Sequence, residues 1–364
     1  MKLIACSSLF QLFVAIAIKK HFLSNEDVDL ILTDSTPSFK EISKNERLNQ
    51  IFNSVYFSEI NKNSENLNRL QRSKYGKMFY EIFPKKYAKK IWGINLKKYT
   101  GFYFSSYTMP NVMMQHAIKR KNKNSHIHFY EDGISSYLLG NKQNFRCGKL
   151  LGKIFNISPV EKNVEDLYVF EPSLVCVDGY KKIIKIPNIN TLGVLEDINS
   201  VFNYADIDIK EKFVFFEESF NNDGYQTNDV DLIYDLYEFC DGKDFILKHH
   251  PRNKKDRFKT LLPTIEKFIM WENYLLNKDI ENKVLVTVSS NTVFVPKIIF
   301  DQQPTVVMLF KIFNGTSPIF DSGNFERYLE NYLKFYSEYS KSKIYIPESI
   351  DEYKEIILIL KKEV

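Results

Sequence analysis

A chain of 364 residues is long enough for two ordinary domains and short for three. With 44% hydrophobic and 26% charged residues it can bury a substantial core, which excludes wholesale disorder. Lysine and arginine total 50 against 45 acids, a net charge of +5, too weak for a dedicated nucleic-acid binder, so no nucleic-acid partner is expected.

The chain opens with the apolar run Lys2 to Ser7, and Ser8 to Ile18 is apolar nearly all round. Asp27 to Asp34 reads as a second strand, so the opening is strand, buried helix, strand, the start of a parallel α/β layer. The segment Leu9 to Ile18 is well below the roughly 20 residues that span a bilayer. Further strands are expected at 101–104 and 126–130, each followed by polar or helix-opening residues. A polar, Asn-containing segment then runs from Pro187 to Tyr204. A second unit opens at 212–216, with later strands at 245–248, 284–288 and 305–309. Helices are expected over Asp229–Cys240 and Ile350–Lys361, the latter capped by Ser349. Two such units predict two Rossmann-like domains with parallel sheets facing across a central cleft. Cys6, Cys147, Cys176 and Cys240 form no C-x-x-C pair and have no histidine at metal-ligand spacing, which points to a reducing compartment and a cytoplasmic location.

Five local signals fall at strand ends, where open α/β sheets place ligands. Tyr130-Glu131-Asp132-Gly133 brings two acids and a glycine that lets the chain turn sharply; an acidic helix cap explains them equally. Glu217-Glu218-Ser219-Phe220-Asn221-Asn222-Asp223-Gly224 repeats the pattern, with an ordinary Asx turn as the alternative. In His249-His250-Pro251 the proline forces His250 into extended backbone at the sheet edge, where an imidazole can meet a leaving phosphate. Adjacent strand residues point to opposite faces, so the two histidines make a poor metal pair. Glu272, in an apolar setting, either binds a vicinal diol or is a solvated helix residue. Ser289-Ser290-Asn291 ends a buried strand in hydroxyls that suit either a phosphate or a plain helix cap. The pairs Asp27/Asp29, Asp206/Asp208 and Asp229/Asp231 are not read as metal ligands, because acids favour such helix and strand starts. Lys85, Lys86, Lys89, Lys90, Lys97 and Lys98, interleaved with Phe83, Tyr87, Ile91 and Trp92, form a basic amphipathic surface for anionic lipid at the inner face of the cytoplasmic membrane, or a solvated helix face.

Taken in order, Tyr130-Glu131-Asp132-Gly133 with Ser136-Tyr137, Asp223-Gly224, His250-Pro251, Glu272 and Ser289-Ser290 resemble bacterial sialyltransferases, most closely glycosyltransferase family 52, which includes lipooligosaccharide α-2,3-sialyltransferases. The opening Cys6-Ser7-Ser8-Leu9-Phe10-Gln11-Leu12 is similar as well, and the likeness runs over residues 1–310. The family pattern has a Gln near Glu217/Glu218 and a small-Pro-Leu near Ser7–Phe10, and this sequence departs from it at both places. The resemblance implies a GT-B-type fold, with residues 1–195 on the acceptor side and 205–335 binding a CMP-sugar. Residues 336–364 would form a C-terminal helical segment packing back toward the N-terminal domain. It further implies inverting transfer from CMP-sialic acid to a galactose-terminated or lipid-linked glycan, no cofactor and no required divalent metal, and a homodimer. Asp223 is the expected general base, Asp132 positions acceptor or donor, and His250 stabilises the departing phosphate. Glu272, Ser289, Ser290, Asn291 and Pro251 fall on the donor side, and Ser7, Gln11, Glu131 and Gly133 on the acceptor side. The alternatives are a GT-B transferase using another CMP- or UDP-activated sugar, and a non-catalytic nucleotide- or glycan-binding partner in surface polysaccharide assembly.

Overall fold

The computed structural model of the protein describes residues 1–66, 73, 83–138, 164–220, 227–253, 257–258, 261–266, 269–315, 323–337 and 344–363. The chain divides into two units, Met1–Phe202 and Asn203–Val364. Each is built on a wholly parallel sheet, in agreement with the expected fold class.

In the first unit the strands are β1 (Lys2–Cys6), β2 (Val28–Thr33), β3 (Ser54–Ser58), β4 (Gly101–Phe104), β5 (His126–Tyr130), β6 (Val164–Val169) and β7 (Lys182–Lys185). Their order is β3-β2-β1-β4-β5-β6-β7, so the direction of winding reverses between β1 and β4. β1, β2 and β4 are near-continuous apolar runs because a parallel strand covered on both faces has no solvent side. The helix Leu9–His21 lies fully buried from Leu12 to Ile18, which explains its apolar circumference. Asp29 is the exception inside β2. It accepts hydrogen bonds from Asn53 and Tyr99 and pairs with Lys97 at 2.8 Å. Although burial opposes ionisation, these partners hold its carboxyl below the usual range.

The second unit carries β8 (Phe213–Phe216), β9 (Phe245–Lys248), β10 (Thr264–Ile265), β11 (Val284–Thr287), β12 (Thr305–Met308) and β13 (Ile344–Tyr345) in the order β10-β9-β8-β11-β12-β13. Here the winding reverses between β8 and β11. Helix Asp229–Phe239 covers this sheet through Leu232, Ile233 and Leu236, packed with Phe213, Phe215, Val284 and Val286.

The bounds of the two units differ from those expected. Within the polar segment from Pro187 to Tyr204, helix Leu195–Phe202 belongs to the first unit, tied there by buried Asp197 to Lys20 at 2.6 Å and to Arg47. The boundary therefore falls at residue 202/203 rather than over 195–205. The C-terminal segment does not stand apart from the second unit. Strand β13 pairs with β12, and helix Ile350–Lys362 buries Tyr353, Ile356, Ile357 and Leu360 in that unit's core. Its apolar positions recur at three- and four-residue spacing, which gives one stripe to bury, and Ser349 caps it by accepting the Glu352 amide at 3.1 Å.

The basic stretch forms helix Pro84–Trp92, with Tyr87, Ala88, Ile91 and Trp92 buried and Lys85, Lys86, Lys89 and Lys90 exposed. No helix among the described residues is long and apolar enough to cross a membrane. Ile357→Ala removes a fully buried side chain. It should cost about 2–5 kcal/mol, read as an earlier urea transition of the second unit, and an unchanged transition would show that the helix is dispensable to that core.

Candidate active site

In the first unit the side chains that matter leave the C-terminal ends of β1 and β5. Ser8 ends the β1 loop and caps helix Leu9–His21 by accepting the Gln11 amide at 3.1 Å. The Gln11 side chain is then fixed at both ends. Its Oε1 accepts the Ser7 amide at 2.5 Å, and its Nε2 donates to Asp132 Oδ2 at 2.8 Å, across 121 residues of sequence. Ser8 Oγ adds a longer contact of 3.5 Å to Asp132 Oδ1. Asp132 follows β5, its amide donating to Ser136 Oγ at 2.7 Å. Gly133 then turns the chain at φ +73°, a left-handed conformation that a side chain would strain. Asp132 is partly exposed. Its burial outweighs the hydrogen bonds from Gln11 and Ser8 and pushes its carboxyl up to about 6.

Glu131 is a different kind of group. It is 1% exposed, and its Oε2 accepts from Tyr137 Oη at 2.6 Å and from the Phe170 amide at 2.9 Å. It joins the ends of β5 and β6 instead of facing a ligand, because neighbouring residues leaving a strand point to opposite sides. Burial raises its carboxyl to about 7. Ser7 Oγ accepts from Thr33 at 3.1 Å, which ties the ends of β1 and β2.

In the second unit three strand ends converge about the reversal between β8 and β11. Glu217 is buried, and its Oε2 accepts His249 Nδ1 at 2.9 Å and the His250 amide at 3.2 Å. Its Oε1 accepts two N–H groups of Arg257 at 3.0 and 2.9 Å. The same guanidinium binds Asp229 in a second fork, at 3.2 and 2.6 Å. Burial alone would raise the Glu217 carboxyl, but hydrogen bonds from His249, Asn253 and Arg257 and the guanidinium charge hold it down to about 2. His249 thus points inward, as the strand alternation predicts. His250 is partly exposed, and its Nδ1 accepts the Arg252 amide at 3.1 Å, which puts the ring proton of the neutral imidazole on Nε2. Pro251 beside it is exposed.

Glu218, one residue on, crosses to β11. Its Oε1 accepts the Ser289 amide at 2.5 Å and Thr287 Oγ1 at 3.2 Å, and its Oε2 accepts Ser289 Oγ at 2.8 Å. Burial outweighs these bonds and raises it to about 7. Ser289, expected to offer its hydroxyl to a phosphate, is fully buried and gives both its donors to Glu218. Ser290 caps the turn at Asn291–Val293 by accepting the Thr292 amide at 3.3 Å, and Asn291 Oδ1 accepts Tyr328 Oη at 3.1 Å. Glu272 lies in the first turn of helix Trp271–Asn277, whose Trp271 packs edge-on against Phe216 of β8 at 4.9 Å. Burial raises its carboxyl against the nearby charge of Lys248. Asp223 lies outside the described residues. Among the described residues no group of three or more His, Cys, Asp or Glu is placed to hold a metal ion.

The structure therefore joins Gln11 to Asp132 in one unit, and the β8, β9 and β11 ends carrying His250 and Ser289 in the other. Sequence reasoning missed Ser8, Glu218 and Arg257. Ser8 had a signal, a serine directly before an apolar helix; the other two are fixed by contacts distant in sequence.

A family model described as Alpha-2,8-polysialyltransferase (POLYST) matches residues 2–309. The chain belongs to this polysialyltransferase family. The expected sialyltransferase resemblance holds at that level, and the family's description names an α-2,8 rather than an α-2,3 linkage. No curated protein matches the chain. Among solved structures, this polysialyltransferase-family chain is similar to the glycotransferase of kitacinnamycin (TM-score 0.56, 9% identity, covering 100% of this chain and 90% of that one). It is also similar to UDP-GlcNAc 2-epimerase from Methanocaldococcus jannaschii (0.51, 14%, 100% and 94%). A third likeness is to the α/β-galactoside α-2,3-sialyltransferase of Photobacterium phosphoreum (0.50, 11%, 96% and 98%). At these identities the likeness is one of fold.

Because the Asp132 carboxyl is raised, ionising it above pH 6 costs folding free energy that is absent below its unfolded value of 3.8. Asp132→Asn should therefore stabilise the first unit by about 1–3 kcal/mol at pH 8, with the gain shrinking toward pH 4. Denaturant titrations at both pH values check this, and an equal effect at both would remove the charge cost from Asp132.

Proposed function

We propose that the protein transfers sialic acid from CMP-sialic acid to the terminal sugar of a glycan, in one inverting displacement without a required divalent metal. The family match supports sialyl transfer. The observation that carries the mechanism is Asp132: partly exposed at the end of β5, gripped by Gln11, and raised to about 6. Such a carboxylate is ionised at pH 7 yet basic enough to take a proton.

The acceptor hydroxyl oxygen forms its bond to the donor's anomeric carbon as that carbon's bond to the phosphate oxygen breaks. The bonding pair leaves with CMP, and the hydroxyl proton passes to Asp132. His250, with its proton on Nε2, donates to the phosphate as charge builds there. The two oxygens of Glu272 suit the ribose diol, and Ser290, Asn291 and Pro251 flank the nucleotide. Asp223 is the competing proton acceptor. A terminal galactose is the acceptor read from the sequence resemblance; the family's description favours a second reading, a terminal sialic acid.

Mass spectrometry of products from CMP-sialic acid with a panel of galactosides and sialosides, with and without EDTA, tests the reading. The expected result is a gain of one sialic acid that survives EDTA, reduced about 10²–10⁴-fold in Asp132→Asn and in His250→Ala. Transfer from a UDP-sugar alone would overturn the donor, strict metal dependence would overturn the metal-free step, and near-normal turnover of Asp132→Asn would hand the proton to Asp223.

The exposed Lys85, Lys86, Lys89 and Lys90 support peripheral contact with an anionic membrane, since each basic residue near such a surface contributes about 1 kcal/mol. Co-sedimentation with phosphatidylglycerol vesicles should occur and should fall when these four become glutamine; equal sedimentation would reject the contact.

A further inference from the structure

At the reversal between β8 and β11, three donors face one place: the Ser289 amide, the Ser289 hydroxyl and the Thr287 hydroxyl. In an open parallel sheet this is where a phosphate is received. In this protein a carboxylate of the chain already sits there. Both Glu218 oxygens are bonded, at 2.5, 3.2 and 2.8 Å, and Ser289 has no exposed surface. The backbone also holds Glu218 in place, because its carbonyl accepts Asn253 Nδ2 at 3.0 Å and the adjoining Ser219 accepts Arg252 at 2.6 Å.

We infer that Glu218 is an internal substitute for a phosphate, filling the inner anion position so that the site accepts a nucleotide with one phosphate and turns away one with two. The inference rests on reading this strand end as the nucleotide site. In the proposed reaction the nucleotide's single phosphate meets the His250 ring and Ser290, at the ends of β9 and β11. A second phosphate would have to displace Glu218 from three hydrogen bonds, which is costly. The groups near Glu218 add no cation to it. Asp229 adds negative charge, while Arg257 and His249 are already committed to Glu217 and give Glu218 no partner. The substitution is chemically exact in kind: a carboxylate, like a phosphate, offers several lone pairs to convergent N–H and O–H donors.

Removing the carboxylate should reopen the inner position. In Glu218→Ala the Ser289 and Thr287 donors lose their acceptor, so the variant should melt earlier than the wild type and regain stability in inorganic phosphate, which should leave the wild type unmoved. In calorimetry with the full chain, the ratio of CDP to CMP affinity should rise by about tenfold in Glu218→Ala and, with the shape kept, in Glu218→Gln. Circular dichroism first establishes that each variant is folded; if the alanine variant is not, the glutamine variant carries the test alone. Folded variants whose CDP to CMP ratio equals that of the wild type would overturn the inference, as would a wild type that prefers CDP. Failure of the wild type to bind any cytidine nucleotide would instead strike at the donor reading, and the phosphate effect on melting would still report on the inner position.

Discussion

The Glu217 carboxylate, buried at the end of β8, holds the second unit's strand ends in register. It takes the inward His249 ring, the His250 amide and the Arg257 guanidinium, and Arg257 in turn pins the start of helix Asp229–Phe239. Two groups central to the proposed site sit one step from that hub. His250 follows His249, and Glu218 follows Glu217. A buried charge of this kind is not a source of net stability, because its desolvation offsets much of what its partners return. Its consequence is geometric: Glu217, His249, Arg257 and Asp229 are held together at the ends of β8 and β9.

The carboxyls at strand ends separate into two kinds by their surroundings. Glu217, with a cation and several N–H donors, is held down to about 2, whereas Asp132, Glu131 and Glu218, with neutral donors only, are pushed up to about 6, 7 and 7. Environments that push similar groups apart divide structural acids from those that can exchange a proton near neutral pH. Exposure completes the division, since Glu131 is sealed between β5 and β6 while Asp132 is reachable.

Much of this was legible in the sequence, for physical reasons. The strands buried on both faces, β1, β2, β4, β5, β8, β9, β11 and β12, are short apolar runs and were readable as such. The unread ones are short or lie toward sheet margins: β3 and β7 are half-exposed or exposed, β10 and β13 have two residues each, and β6 is interrupted by Glu165 and Asp166. Gly133 and Pro251 marked Asp132 and His250 because each fixes the backbone beside it. The division of labour between Glu217 and Glu218 left no such mark. Two adjacent glutamates look alike in sequence, and only partners 32 and 71 residues away make one a hub and the other an anion held by Ser289. The helix Ile350–Lys362 was foreseen with its cap, but its destination was not, because an apolar stripe shows that a face is buried and not against what.

In the proposed reaction the strand ends around His250 and Ser290 receive a cytidine monophosphate. Hydrogen–deuterium exchange of the full chain with and without CMP tests it most directly. Slower exchange is expected at residues 249–252 and 287–292 when CMP is present. Protection confined to the first unit, or none at these two segments under saturating CMP, would contradict it.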